Sequence, residues 1–203
     1  MDDSKILALT FDDGPNEPYT SQIIDFLNSV GVCATFFQVG KAIRRYPDVT
    51  KKAFDSGHVI GNHSYSHSLG MYIDRKNMVD EIESTERLTR SLIGKTPRLY
   101  RAPWFLHTPM MKRIAAERSL TLVRGKLPHA GEIFQPGSNS IARHALARSG
   151  PGAILIFHDG YRSKTGYRGS TVEAVKIVVN QLLARGYGFV TVDKLLGVPA
   201  YRE

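Results

Sequence analysis

One cysteine, Cys33, stands in 203 residues, so no intrachain disulfide can hold this fold together. It sits in the apolar run Val32-Cys33-Ala34 and reads as a small core residue. No apolar stretch approaches the ~20 residues that a membrane-spanning helix needs. The opening residues, MDDSKILALTF, lack a signal-peptide pattern. Runs of Lys and Arg never exceed two, and no nucleic-acid motif is present. The net charge of +8 would favour an anionic partner, but with the basic residues scattered, nucleic acid is not expected. Repeats, low-complexity tracts and linkers are absent. What remains is a chain of ordinary composition, 42% hydrophobic and 23% charged. Its length suits one domain, 1–203, with a sizeable core, and a monomer is expected.

The chain does have a rhythm. Apolar, often β-branched runs fall at 6–10, 34–39, 58–61, 98–101, 120–123, 153–157 and 188–192. Helical patterns fall at 18–30, 75–92, 108–118, 138–148 and 171–185, with glycine closing the first and last. Alternating strands and helices predict a parallel sheet wrapped by helices, an α/β fold. About seven parallel strands favour a small, incomplete or distorted (β/α) barrel over an open sheet.

The polar residues fall on that rhythm. Asp12 and Asp13 follow the first strand, His63 and His67 the third, and Arg101 ends the fourth. Glu132 lies in the loop after the fifth, and His158 with Asp159 ends the sixth. All sit at C-terminal strand ends, where parallel α/β barrels build active sites. Two adjacent carboxylates, as in TFDDGPNEP (residues 10–18), repel each other unless something positive lies beside them. The His63–His67 spacing, taken as a helical turn, points both imidazoles one way. Two imidazoles and a carboxylate suit a divalent metal with open coordination positions. If Asp13 ligates it, Asp12 is free to act as a base. Arg101 can orient Asp12, and His158 is a candidate general acid. His58 and His144 read as structural. His107 and His129 are given no role beyond bordering the groove, where Tyr65, Trp104, Tyr161 and Tyr167 are candidates to stack on sugar rings.

Four motifs in order, TFDDGP, HSYSH, RAPW and ILIFHDG, resemble the signatures of the polysaccharide deacetylases, the NodB-homology group or carbohydrate esterase family 4. The resemblance spans about residues 5 to 196. It implies a distorted (β/α) barrel and metal-dependent removal of N-acetyl groups from amino sugars of a chitin-, chito-oligosaccharide- or peptidoglycan-type glycan. By it, Asp12 is the catalytic base, Asp13, His63 and His67 hold the metal, and Arg101 orients the base. The Trp104 N–H helps bind the oxyanion, His158 protonates the leaving amine, and Ile156 lines the acetyl pocket. The cofactor implied is one divalent ion, zinc first, with cobalt, nickel or manganese as alternatives.

Two stretches depart from the family pattern. RAPW replaces an RPPY-like third motif, and Glu132-Ile133 replaces an Asp-Trp pair in the fourth. Glu132 is expected to support His158 with a longer arm, and Ile133 to reshape the pocket wall where the tryptophan would stand. The alternatives are an O-acetyl xylan esterase, an amino-sugar deformylase, or a non-catalytic glycan-binding module. The full set Asp12, Asp13, His63, His67, Arg101 and His158 argues against the last. The expected location is extracytoplasmic or the cell envelope, with any leader absent from this chain; a cytoplasmic location is the alternative.

Overall fold

The computed structural model describes residues 5–127, 131–162 and 164–202. Its first strand, β1 (Ile6–Asp12), is an apolar run buried along nearly its whole length, as expected of a parallel strand covered on both faces. Six more strands join it in parallel: β2 (Thr35–Gln38), β3 (Val59–Asn62), β5 (Leu99–Tyr100), β6 (Thr121–Leu122), β7 (Ile154–His158) and β8 (Gly188–Val190). The order is β6-β5-β3-β2-β1-β7, and β8 pairs with the first half of β1. These are the seven predicted strands. Two short strands were not foreseen, β4 (Thr96–Pro97) and β9 (Tyr201–Arg202), which pair antiparallel.

The sheet curls until its ends almost meet. After β6 the chain reaches β7 through one residue: Lys126 N–H donates to Ile154 O at 2.7 Å, and Ile156 N–H donates to Lys126 O at 3.1 Å. Gly125 permits this approach, because a Cβ there would lie 2.7 Å from Ile154 O. A ring closed by a single bridge is the distortion of the barrel.

Helices α1 (Tyr19–Ser29), α4 (Arg75–Ile93), α5 (Pro109–Glu117), α6 (Ser138–Arg148) and α7 (Gly169–Ala184) lie where the periodicity put them. In α1, Thr20, Ile23, Ile24 and Leu27 form the buried stripe. The Asp74 carboxylate caps α4 by accepting the Asn77 N–H at 2.8 Å, and Gly94 at φ 69° ends it. Sequence reading missed α2 (Gly40–Arg45), α3 (Pro47–Asp55) and α8 (Val192–Leu196). Pro47, at the first turn of α3, splits what would be one amphipathic pattern into two pieces too short to read. The main apolar cluster lies between β1, β2, β7 and helices α1, α6 and α7, and a smaller one fills the barrel around Ala8, Phe37, Leu99 and Val192. Among the described residues no helix is long and apolar enough to cross a membrane.

Candidate functional site

Parallel register aligns the strand ends. Asp12 pairs with His158, Gln38 with Asn62, and Asn62 with Tyr100. Asp12, His63, Arg101 and His158 therefore emerge at one rim of the barrel. Asp13 follows at φ 76°, a left-handed conformation uncommon for a residue with a side chain. Ser64, His67, Trp104 and Arg162 share that region of backbone space, and strained backbone of this kind concentrates at functional sites.

The Asp13 carboxylate is buried among imidazoles. Its Oδ1 lies 3.4 Å from His63 Nε2 and 3.2 Å from His67 Nε2. Asp13 Oδ1 has no hydrogen-bond partner among the described residues. The other oxygen accepts the Arg162 N–H at 2.9 Å. Burial alone would raise the Asp13 pKa, but the surrounding His63, His67 and His158 hold it below the usual carboxylate range. His63 Nδ1 lies 2.7 Å from Arg101 O. A carbonyl can only accept, so Nδ1 carries the proton and Nε2 presents its lone pair towards Asp13. Burial pushes the His67 pKa down to about 4, which keeps it neutral near pH 7. Three donor atoms, one each from Asp13, His63 and His67, lie within 4.8 Å of one another. A buried unpaired oxygen facing two imidazole nitrogens fits a divalent cation.

The two histidines do not share a helical turn, as the spacing had implied. The segment after β3 is a loop, with Ser64 and His67 at φ 64° and 55°. Asn62 Oδ1 accepts the Ser64 N–H at 2.8 Å, and Glu81 of α4 accepts the N–H groups of Tyr65 and Ser66 at 2.9 and 2.7 Å. These anchors, rather than helical periodicity, aim the imidazoles.

Arg101 is 0% exposed. Its Nη1 donates to Asp12 Oδ1 at 2.6 Å and to Thr10 Oγ1 at 2.8 Å, and its guanidinium lies 4.1 Å from the Phe37 ring centroid. On the other side of β1, His158 Nδ1 lies 2.6 Å from Glu132 Oε2. Burial would lower the His158 pKa, but the Glu132 charge and hydrogen bond overcome it and push it up to about 9. Glu132 Oε1 in turn accepts the Thr171 hydroxyl at the start of α7. Asp159 turns away from His158. Its carboxylate accepts the Gly14 N–H at 3.1 Å and the Thr20 hydroxyl at 2.7 Å. Burial pushes its carboxyl up to about 7. Gly14 and Gly160 let these turns touch: a Cβ on Gly14 would lie 2.1 Å from Asp159 Oδ2, and one on Gly160 2.3 Å from Asp13 O.

Asp12, Asp13, His63, His67 and His158 open onto one cavity of about 290 Å³. Its walls are Ala102, Trp104, Phe105, Leu127 and Ile133, with Arg162 also lining it. The Trp104 ring meets the His67 ring edge-on at 4.4 Å. Ile156 differs from expectation. It is completely buried, against Gly125 and one layer below His158 on the same face of β7, and is not among the described residues that line the cavity. His107 takes a hydrogen bond from Arg124 instead of facing the cavity, and His129 lies outside the described residues.

The profile of the polysaccharide deacetylases matches residues 1–123. The chain belongs to the polysaccharide deacetylase family. A peptidoglycan-N-acetylglucosamine deacetylase of Bacillus cereus is 31% identical over 193 residues, covering 95% of this chain and 88% of that protein. A chitooligosaccharide deacetylase of Bradyrhizobium sp. is 32% identical over 192 residues, covering 91% and 87%. The crystal structure of a peptidoglycan N-acetylglucosamine deacetylase in complex with 4-naphthalen-1-yl-N-oxidanyl-benzamide superposes with a TM-score of 0.90 at 28% identity, covering 97% of this chain and 90% of that one.

Several residues of this deacetylase-family site escaped sequence reasoning. Thr10, Glu81 and Thr171 act through contacts between segments distant in the chain, which no local pattern announces. Arg168 is buried, donating to Gly160 O at 2.6 Å and Ile133 O at 2.9 Å, so it ties the turn after β7 to the Glu132–Phe134 turn. Arg162 and Arg168 lie in the stretch HDGYRSKTGYRGS, beside Tyr161 and Tyr167, with no local periodicity to mark them.

Proposed function

We propose that this chain is one catalytic domain that hydrolyses N-acetyl groups from amino sugars of a glycan, with a divalent metal as cofactor and zinc the first choice. One observation carries the reading. An ion-paired carboxylate, Asp12, and an imidazole held protonated, His158, sit in register on adjacent strands and face one cavity. A base and an acid kept in opposite protonation states are what amide hydrolysis requires.

A cation held by Asp13, His63 and His67 would supply Lewis-acid polarisation of the carbonyl and a more acidic water. Asp12, oriented by Arg101, takes a proton from the attacking water as its oxygen bonds to the acetamide carbon. The Trp104 N–H donates to the oxygen that gains charge. With Nδ1 engaged by Glu132, His158 uses Nε2–H to protonate the amine as the C–N bond breaks. The products are a free amino sugar and acetate. Trp104 and Ile133 form walls against which the sugar and acetyl group rest. The names of the relatives support a peptidoglycan- or chito-oligosaccharide-type glycan as substrate.

The test is acetate release from a panel of N-acetylated glycans, with O-acetyl xylan and N-formyl sugars as discriminating arms. Metal-replete protein is expected to release acetate from at least one N-acetylated glycan. A chelator should abolish the activity and added zinc restore it. No acetate from any N-acetylated member would sink the reading.

The pH profile tests His158 and Glu132 separately. A general acid must be protonated, so activity should fall as pH rises through its pKa, about 9 here. Glu132→Gln removes the charge that favours the imidazolium. The alkaline limb should then move to lower pH, by about 1–3 units, with metal content unchanged. An unmoved limb, with a shifted one in Asp159→Asn, would transfer the supporting role to Asp159.

A further inference from the structure

Arg162 differs from the paired arginines of this chain, and it alone among the described Lys and Arg residues lines the cavity. Exposed Arg75 and Arg87 pair with carboxylates, as do partly buried Arg118 and Arg202. Buried Arg101 and Arg168 are held by acceptors of the protein itself. The Arg162 side chain is exposed and has no carboxylate partner among the described residues. The backbone of Arg162 is anchored at the reacting centre, since its N–H donates to Asp13 Oδ2 at 2.9 Å and its φ is 45°. The guanidinium stands 5.9 Å from the Trp104 ring centroid and 5.6 Å from that of Tyr161. Such placement beside two rings limits where it can point while leaving its planar fork of donors open.

A glycan whose acetamide reaches Asp12 and His158 must pass this guanidinium at the cavity rim. An unpaired fork of N–H donors is the group suited to a carboxylate or phosphate. The net charge of +8 draws the same class of polymer to the surface. We propose that Arg162 is a specificity determinant, selecting N-acetylated amino-sugar glycans that carry an anionic substituent, carboxylate or phosphate, over neutral ones. The proposal rests on the deacetylase reading above and adds the charge of its substrate.

The experiment compares kcat/KM for acetate release from three oligomers: a neutral chito-oligosaccharide, a carboxylate-bearing N-acetylated oligomer and a phosphate-bearing one. Wild type, Arg162→Gln, Arg162→Lys and Arg162→Glu are measured at two ionic strengths. The wild type should favour an anionic oligomer. Arg162→Gln should lower the anionic-to-neutral ratio by about 10–100-fold, mainly through KM, the range expected for a lost charge-assisted hydrogen bond. Arg162→Lys should recover part of the ratio, and Arg162→Glu should invert it. Salt should erode the preference of the wild type more steeply than that of Arg162→Gln, which keeps only the attraction of the remaining basic surface. The preferred anionic arm identifies the anion. A ratio that is the same in the wild type and Arg162→Gln, with acetate still released, overturns this proposal alone and leaves Arg162 a packing partner of Trp104. Absence of acetate from every oligomer overturns the deacetylase reading and this proposal with it. Thermal melting of each variant serves as the folding control, because the contact with Asp13 is made by the backbone and survives side-chain replacement.

Discussion

Asp12→Asn, which removes the proposed general base, is expected to lower kcat by about 10²–10⁴-fold and to leave metal binding unchanged. The amide is nearly isosteric, and its oxygen can still accept from Arg101, whose Nη1 now bonds Asp12 Oδ1 at 2.6 Å. Thr10 Oγ1, 2.8 Å from the same nitrogen, remains as a second acceptor. The site therefore keeps its shape and loses its proton acceptor. Asp13→Asn should behave differently. Asp13 Oδ1 is the buried oxygen between the two imidazole nitrogens, and its charge is what a divalent ion would meet. Replacing it should strip metal from the protein, and activity should return in part at high metal concentration. Metal analysis of the purified variants, run beside initial rates, separates the two cases. Equal metal loss in both would show that the neighbouring carboxylates do not divide the work in this way.

Arg101→Met should be the most destabilising single change in the site, by about 3–5 kcal/mol. The pair it breaks is sealed from solvent, with Arg101 at 0% and Asp12 at 1% exposure. Removing the guanidinium leaves the buried Asp12 carboxylate without its hydrogen-bonded cation. Methionine roughly conserves the volume packed on Phe37, so the loss measures the charge and not a cavity. For a chain of this length the melting temperature should fall by roughly 10 °C. Thermal or urea denaturation checks this directly. A shift within ~1 kcal/mol would mean that the pair behaves as a solvent-screened surface bridge, contrary to its burial. The exposed pair Lys51–Asp55, at 2.6 Å on one face of α3, gives the internal contrast. Its removal should cost no more than ~0.5 kcal/mol.

The alternation of apolar runs and amphipathic stretches was enough to place seven strands and five helices. Both signals are local: burial of a parallel strand on two faces demands a continuous apolar run, and a helix on a core demands a 3.6-residue stripe. The strand-end positions of Asp12, Asp13, His63, Arg101 and His158 followed from the same rhythm, because a strand's last residue is fixed once the strand is. The short elements α2, α3, α8, β4 and β9 were not legible, since two to nine residues carry too little period to separate from a loop.

Tertiary structure alone decided how those residues are aimed. Asp159 adjoins His158 in the sequence, whereas Glu132 lies far from it. The fold turned Asp159 onto Gly14 and Thr20 and delivered Glu132 from a turn 26 residues upstream of His158. The sequence offered His63 and His67 as a helical pair. Asn62 and Glu81 hold them instead in a loop with left-handed turns. Ile156, expected at the pocket, was set one layer down by the alternation of β7 and the closing bridge of Lys126. Arg162 reached the cavity rim only because the turn after β7 folds onto Asp13. Residue types and strand ends are properties of short stretches of chain. Hydrogen bonds across 26 to 149 residues are not, and they set which of the available charges face each other in the site.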